Sequence, residues 1–154
     1  MKDKDYRILE ELQQNGRLSN QELSERVALS PSPCLRRTKL LEDAGIISGY
    51  TAVVDQKAVG LSVTAFVQIK LERHSDDTVA TFEAAIEQML NVMDCWLMTG
   101  DADYLLRIVT TDLDDFERFV RESLQKVPGI ASISSSFAYG RVKRSRVLPL
   151  SEYR

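Results

Sequence analysis

The chain has 154 residues, 44% of them apolar and 28% charged, with a net charge of −3. This is the composition of one or two small folded domains, and it excludes both a disordered tract and a surface coated with cations for indiscriminate nucleic-acid binding. No apolar run nears the roughly 20 residues that span a bilayer, and the start Met1–Tyr6 lacks the apolar stretch of a secretory signal. Cys34 and Cys95 fit neither a disulfide framework nor a zinc-ligand spacing, so a cytoplasmic protein without a metal is expected.

Asp3 or Asp5 caps a first helix that runs to about Asn15, with Ile8, Leu9 and Leu12 at helical spacing and Gly16 at the C-cap. Ser19-x-x-Glu22 is a capping box: the Ser oxygen accepts the N–H three residues on, and Glu22 reaches back to the Ser19 N–H. It opens a second helix from about Gln21 to Ala28, whose Leu23 and Val27 share an apolar face with the following Leu29. Ser30-Pro31-Ser32-Pro33 cannot lie inside a helix, but both prolines suit a first turn, whose N–H groups lack helical partners anyway. A third helix then runs from about Pro33 to Ala44 and stops at Gly45. Two short helices joined by a tight turn, the second armed with Arg36, Arg37 and Lys39, follow the helix-turn-helix plan for entering a DNA major groove. Ile46, Ile47, Tyr50, Ala52 and Val54, with Gly49 as a turn, predict a two-stranded wing. Residues 1–54 therefore read as a winged helix-turn-helix domain, and 55–61 as a hinge.

The rhythm changes over 62–154. Val63–Leu71 alternates as a strand, and Asp76–Met89 is helical through Val79, Phe82, Ala85, Ile86 and Met89. Met93–Thr99 and Tyr104–Thr111 are strands around the hairpin signal Gly100-Asp101-Ala102-Asp103. Asp112 opens a helix through Phe116, Phe119, Val120 and Leu124, closed by Pro128-Gly129, and Ile130–Tyr139 is the last strand. The order βαββαβ predicts a ferredoxin-like α+β domain, with an antiparallel sheet covered by both helices on one face. Its other face needs a cover, and a second copy of the chain is the simplest one, so a homodimer is expected.

These segments together resemble the Lrp/AsnC (feast/famine) family of transcription regulators. The resemblance rests on Asn15-Gly-Arg-Leu-Ser-Asn20, Leu29-Ser-Pro-Ser-Pro-Cys-Leu-Arg-Arg37, Leu41-Glu-x-x-Gly45-Ile46-Ile47, Thr99-Gly-Asp-Ala-Asp-Tyr104 and Val127-Pro-Gly129-Ile130. It covers nearly the full length and implies a regulator, not an enzyme: double-stranded DNA, as a pseudo-palindromic operator, meets the front domain, while the back domain oligomerises and binds an amino acid or related metabolite. Assemblies of dimers into tetramers or octamers are implied as well. Two departures stand out. Leu40 occupies a position where relatives often carry a basic residue, and Thr38 one where they often carry Val.

Arg36, Arg37 and Lys39 are the candidates for guanine edges and phosphates, Arg37 first; the alternative is a solvated face paired with Glu42 or Asp43. Ser30 and Ser32 are candidates for phosphate at a helix N-terminus, or for simple capping, and Leu35 for a thymine methyl or for core packing. In the back domain, Asp101 and Asp103 lack the further ligands of a calcium loop, because Leu106 and Asp112 stand where that loop needs Gly and Glu. The family resemblance instead implies an amino-acid effector between dimers. Asp101 would accept from its ammonium and the backbone around Gly100 and Ala102 would donate to its carboxylate, with Asp103, Tyr104 and Ser135 as further contacts. His74 and the pair Glu83/Glu87 read as surface groups, Cys34 as a core residue, and Cys95 and Trp96 as core or interface. The basic tail Arg141, Lys143, Arg144 and Arg146 reads as pairing with a partner subunit or touching DNA. Two rivals remain open at this point: an enzyme on a ferredoxin-like module, and a metabolite-binding module whose front domain docks protein.

Overall fold

The computed structural model describes residues 2–145 and 147–150 and divides the chain into two compact units. The first joins the residues up to Val53 with the tail from Val142; the second is Val54–Arg141.

The first unit is built on α1 (Asp3–Gln14), α2 (Asn20–Arg26) and α3 (Pro31–Asp43). Their inward faces meet in a core of Ile8, Leu9, Leu23, Val27, Cys34 and Leu41. The capping box forms as expected: Ser19 Oγ accepts the Glu22 N–H at 3.2 Å, and Glu22 Oε2 accepts the Ser19 N–H at 2.7 Å. At the other end of α2, Lys4 on α1 donates through Nζ to the carbonyls of Val27 (2.7 Å) and Ala28 (3.2 Å). A cation there satisfies orphan carbonyls and complements the helix dipole.

The two-stranded ribbon expected after α3 is not formed: no strand lies between Asp43 and Val63. The Ile46 and Ile47 N–H groups both bond the Leu41 carbonyl, which finishes α3 instead of starting a ribbon. Tyr50 lies over Gly16, where an added Cβ would sit 3.2 Å from its ring, and its hydroxyl donates to Glu42 at 2.8 Å. An isolated two-stranded ribbon is marginal in water, and here Ile46, Ile47 and Tyr50 have other partners. The segment from Val142 groups with the first unit. The Leu148 N–H donates to Gln13 Oε1 at 2.7 Å, and Leu150 packs against the three-helix core, so these two residues add to the first unit.

The second unit runs β1 (Val63–Leu71), α4 (Asp76–Glu87), β2 (Val92–Leu97), β3 (Tyr104–Thr110), α5 (Leu113–Glu122), a short 3-10 turn (Leu124–Lys126) and β4 (Ile130–Phe137). The sheet order is β2-β3-β1-β4 with every pairing antiparallel, the ferredoxin-like arrangement. Ala65, Val67, Ile69 and Leu71 of β1 pack with Leu106 and Ile108 of β3 against Phe82 and Ile86 of α4 and Phe116 and Phe119 of α5. Among the described residues nothing covers the opposite sheet face, which carries Phe66, Gln68 and Lys70. Gln68, Leu105 and Trp96 stand side by side across three strands on that face.

Candidate nucleic-acid interface and effector site

Solvent-exposed residues of α3 recur at helical spacing: Ser32, Leu35, Arg36, Lys39, Leu40 and Asp43 form one face, while Cys34 and Leu41 enter the core. Leu35 is 57% exposed, which removes core packing as its role. Ser30 is the N-cap of α3, yet its side chain makes no capping bond. The first turn is held instead by Asn20 Nδ2, which donates to the Pro31 carbonyl at 2.9 Å. The side chains of Arg36 and Lys39 have no hydrogen bond or ion pair among the described residues, so neither is tied to Glu42 or Asp43. Thr38 does not leave a buried hydroxyl unsatisfied, because its Oγ1 donates to the Cys34 carbonyl at 3.1 Å.

Arg37 is placed differently from its two basic neighbours. Its Nη1 donates to Asp5 Oδ1 at 2.7 Å, and the two side chains are only 25% and 15% exposed. Asp5 Oδ2 accepts the Lys2 N–H, also at 2.7 Å, so this carboxylate ties the first turn of α1 to the flank of α3. Burial alone would raise the Asp5 pKa, but the Lys2 N–H and the Arg37 guanidinium together hold it below the ordinary carboxylate value. Asp5 was not among the sequence candidates, and nothing local marks a partner 32 residues away.

In the second unit the turn between β2 and β3 is closed by the Met98 N–H donating to the Asp103 carbonyl at 2.8 Å, with Gly100 at φ +112°. Asp101 is exposed and has no partner among the described residues. Asp103 is engaged: Oδ2 accepts the Leu71 N–H at 2.7 Å and Oδ1 pairs with His74 Nε2 at 2.8 Å. The His74 contact, with the Leu71 bond, holds the Asp103 carboxyl below its ordinary value. His74 is thus a structural partner rather than an idle corner residue. Tyr104 is buried and donates to Glu83 at 2.7 Å; burial and that carboxylate push the phenol up to about 12, so it stays a donor. Glu83 is therefore bonded rather than merely solvated. A cavity of about 420 Å³ opens beside this pair, lined also by Ile86, Val92, Cys95 and Leu97. Ser135 sits apart on edge strand β4, in register with Val67, so β1 separates it from β3. With strands spaced about 4.8 Å apart, that puts it about 10 Å across the sheet from the β3 end of the turn. One chain brings Gly100–Tyr104 together and does not bring Ser135 to them.

Residues 1–48 match the family profile described as winged helix-turn-helix DNA-binding, and residues 64–148 match the Lrp/AsnC ligand binding domain. The chain belongs to the Lrp/AsnC family. As an Lrp/AsnC protein it is a DNA-binding transcription regulator with a small-molecule-binding domain, and not an enzyme. It is 40% identical over 144 residues to the leucine-responsive regulatory protein of Salmonella typhimurium, covering 94% of this chain and 88% of that protein. It is 39% identical over 146 residues to the DNA-binding transcriptional activator DecR of Escherichia coli, covering 95% and 96%. A transcriptional regulator from Neisseria meningitidis, solved as an L-Met complex, superposes with a TM-score of 0.95 at 42% identity over 100% of this chain and 99% of that one. Among the described residues no helix is long and apolar enough to cross a membrane, and no cluster of His, Cys, Asp and Glu is set to hold a metal.

Proposed function

We propose that this Lrp/AsnC protein reads a pseudo-palindromic operator through α3 and adjusts that binding to the level of a free amino acid. Ser30, Ser32, Leu35, Arg36, Arg37 and Lys39 are the DNA contacts. Arg36 and Lys39 are the groups free to reach base edges and phosphates, and Leu35 supplies an apolar contact for a thymine methyl. The effector seat is the turn Gly100–Tyr104: Asp101 accepts from the ammonium, and the backbone around Gly100 and Ala102 donates to the carboxylate. Asp103 and Tyr104 shape that seat from their internal bonds. Ser135 comes into it only from another chain.

The working form is a homodimer closed over the open sheet face, with tetramers or octamers assembled from it, in the cytoplasm at the nucleoid. Phe66 at 36% and Trp96 at 43% exposure on that face support this reading, because large apolar side chains there favour a cover. A two-fold assembly sets its recognition helices about 34–36 Å apart, one helical turn of DNA.

The observation that carries the effector assignment is the L-Met complex of the Neisseria meningitidis regulator, matched along the whole chain. The test is anisotropy of the protein on its own upstream DNA across a salt series, with and without methionine and other amino acids. Competitor-resistant binding that an amino acid shifts is the expected result. Asp101→Ala is expected to keep binding without effector and lose the shift; a retained shift removes Asp101 from the seat.

A further inference from the structure

Beside the recognition face of α3 lies a groove in which the DNA reading assigns Arg36 and Arg37 but gives Lys2 and Asp5 no role. It is lined by Lys2, Asp5, Arg36, Arg37, Leu40 and Leu41, which places three cations around one carboxylate. At 100° per residue, Arg36 and Leu40 sit on the edge of the solvent face and Arg37 and Leu41 turn inward, so the groove runs along one flank of the helix. Asp5 offsets one of these charges through its pair with Arg37, and its other oxygen accepts the Lys2 N–H, so the charges of Lys2 and Arg36 are left over. Those two bonds bring Lys2 to the flank of α3, although 34 positions separate it in sequence from Arg36. The side chains of Lys2 and Arg36 have no partner among the described residues.

A helix seated in a major groove has a sugar–phosphate wall along each flank. We infer that this groove is a seat for the DNA backbone, in which Lys2, Arg36 and the N–H groups of Arg37 left over from Asp5 grip phosphate. Asp5 is a positioning residue: it aims Arg37 and anchors Lys2, and Leu40 and Leu41 floor the groove so that the cations stand at its rim. The basic residue missing at position 40 is offset by the cation that α1 delivers to the same flank. The seat carries no sequence information and adds affinity to operator and random DNA alike. The inference rests on α3 being the recognition helix.

The test is DNA affinity of the full chain from low to high salt, on operator and on random duplex. Lys2→Gln is expected to lower the magnitude of the log–log salt slope by about 1 and to weaken both DNAs by the same factor. Lys2→Arg, which keeps the charge, is expected to restore the slope. An unchanged slope in Lys2→Gln overturns the seat, and so does a loss confined to the operator. Arg36→Ala separates the two ideas. If it weakens binding while Lys2→Gln does nothing, α3 still reads DNA and only the seat falls; if neither changes anything, the assignment of α3 falls with it.

Discussion

Arg37 shows how one side chain can carry both packing and binding. Its pairing with Asp5 is mostly shielded from water, where an ion pair is screened less than on the surface. Removing Asp5 leaves the guanidinium half-buried and unpaired. Asp5→Asn is therefore expected to cost about 1–2 kcal/mol at neutral pH. The pH dependence follows from the sign of the shift. Asp5 has a depressed folded pKa, so its contribution is present above the unfolded value, about 4, and is lost as pH falls through the folded value. Thermal melts from pH 7 down to pH 2 are expected to show a shallower acid loss for Asp5→Asn than for the wild type. Parallel curves would mean that the pair adds nothing to stability. By the same geometry Arg37→Ala loses stability along with DNA affinity, whereas Arg36→Ala loses affinity alone.

At the scale of elements, the entry to β4 depends on one residue. Gly129 holds φ +83°, a conformation that side chains with a Cβ rarely adopt, and an added Cβ would meet Thr78 Cγ2 at 2.5 Å. Its carbonyl accepts the Glu72 N–H at 2.8 Å, which fixes where β4 joins the end of β1. Gly129→Ala is expected to destabilise the second unit by about 2–3 kcal/mol through strain and overlap together, read as a shift in denaturant midpoint with unchanged slope. The pattern Val127-Pro-Gly129 signalled a helix stop in the sequence, but the Thr78 contact did not show there, because it joins residues about 50 apart. Strand β1 was legible to the residue, since alternation over Val63–Leu71 leaves one register that buries Ala65, Val67, Ile69 and Leu71. Only the ribbon expected after α3 is absent, because alternation says a segment can pair, not that a partner strand is there.

For the whole molecule the open question is the cover over the free sheet face. Phe66 lies there with Gln68, Leu105 and Trp96, and a carboxylate in its place would be desolvated in any face-to-face dimer beside Arg107, whose charge Asp94 already takes up. Phe66→Asp is expected to leave the fold of a single chain intact, because Phe66 lies outside the core, and to shift the protein to monomers in analytical ultracentrifugation. An unchanged mass would place the subunit contact elsewhere. The tail belongs to this scale as well. By returning to Gln13 and the three-helix core, it links the two units a second time through the chain.

The sequence by itself determined what depends on neighbours within one or two turns: the capping box at Ser19, the prolines opening α3, the alternation of β1, the turn at Gly100 and the βαββαβ order. Helical spacing also puts Arg36 and Lys39 opposite Cys34 and Leu41, whereas Arg37, first among the sequence candidates, turns to Asp5. Tertiary structure alone decided that Arg37 answers to Asp5, that Tyr104 donates to Glu83, that Asp103 holds His74 and the end of β1, and that the tail adds to the first unit. Each of these joins residues about 20 to more than 100 positions apart. Local patterns set which face a side chain occupies, but its partner is set by which elements pack together, and that follows from burying the core as a whole.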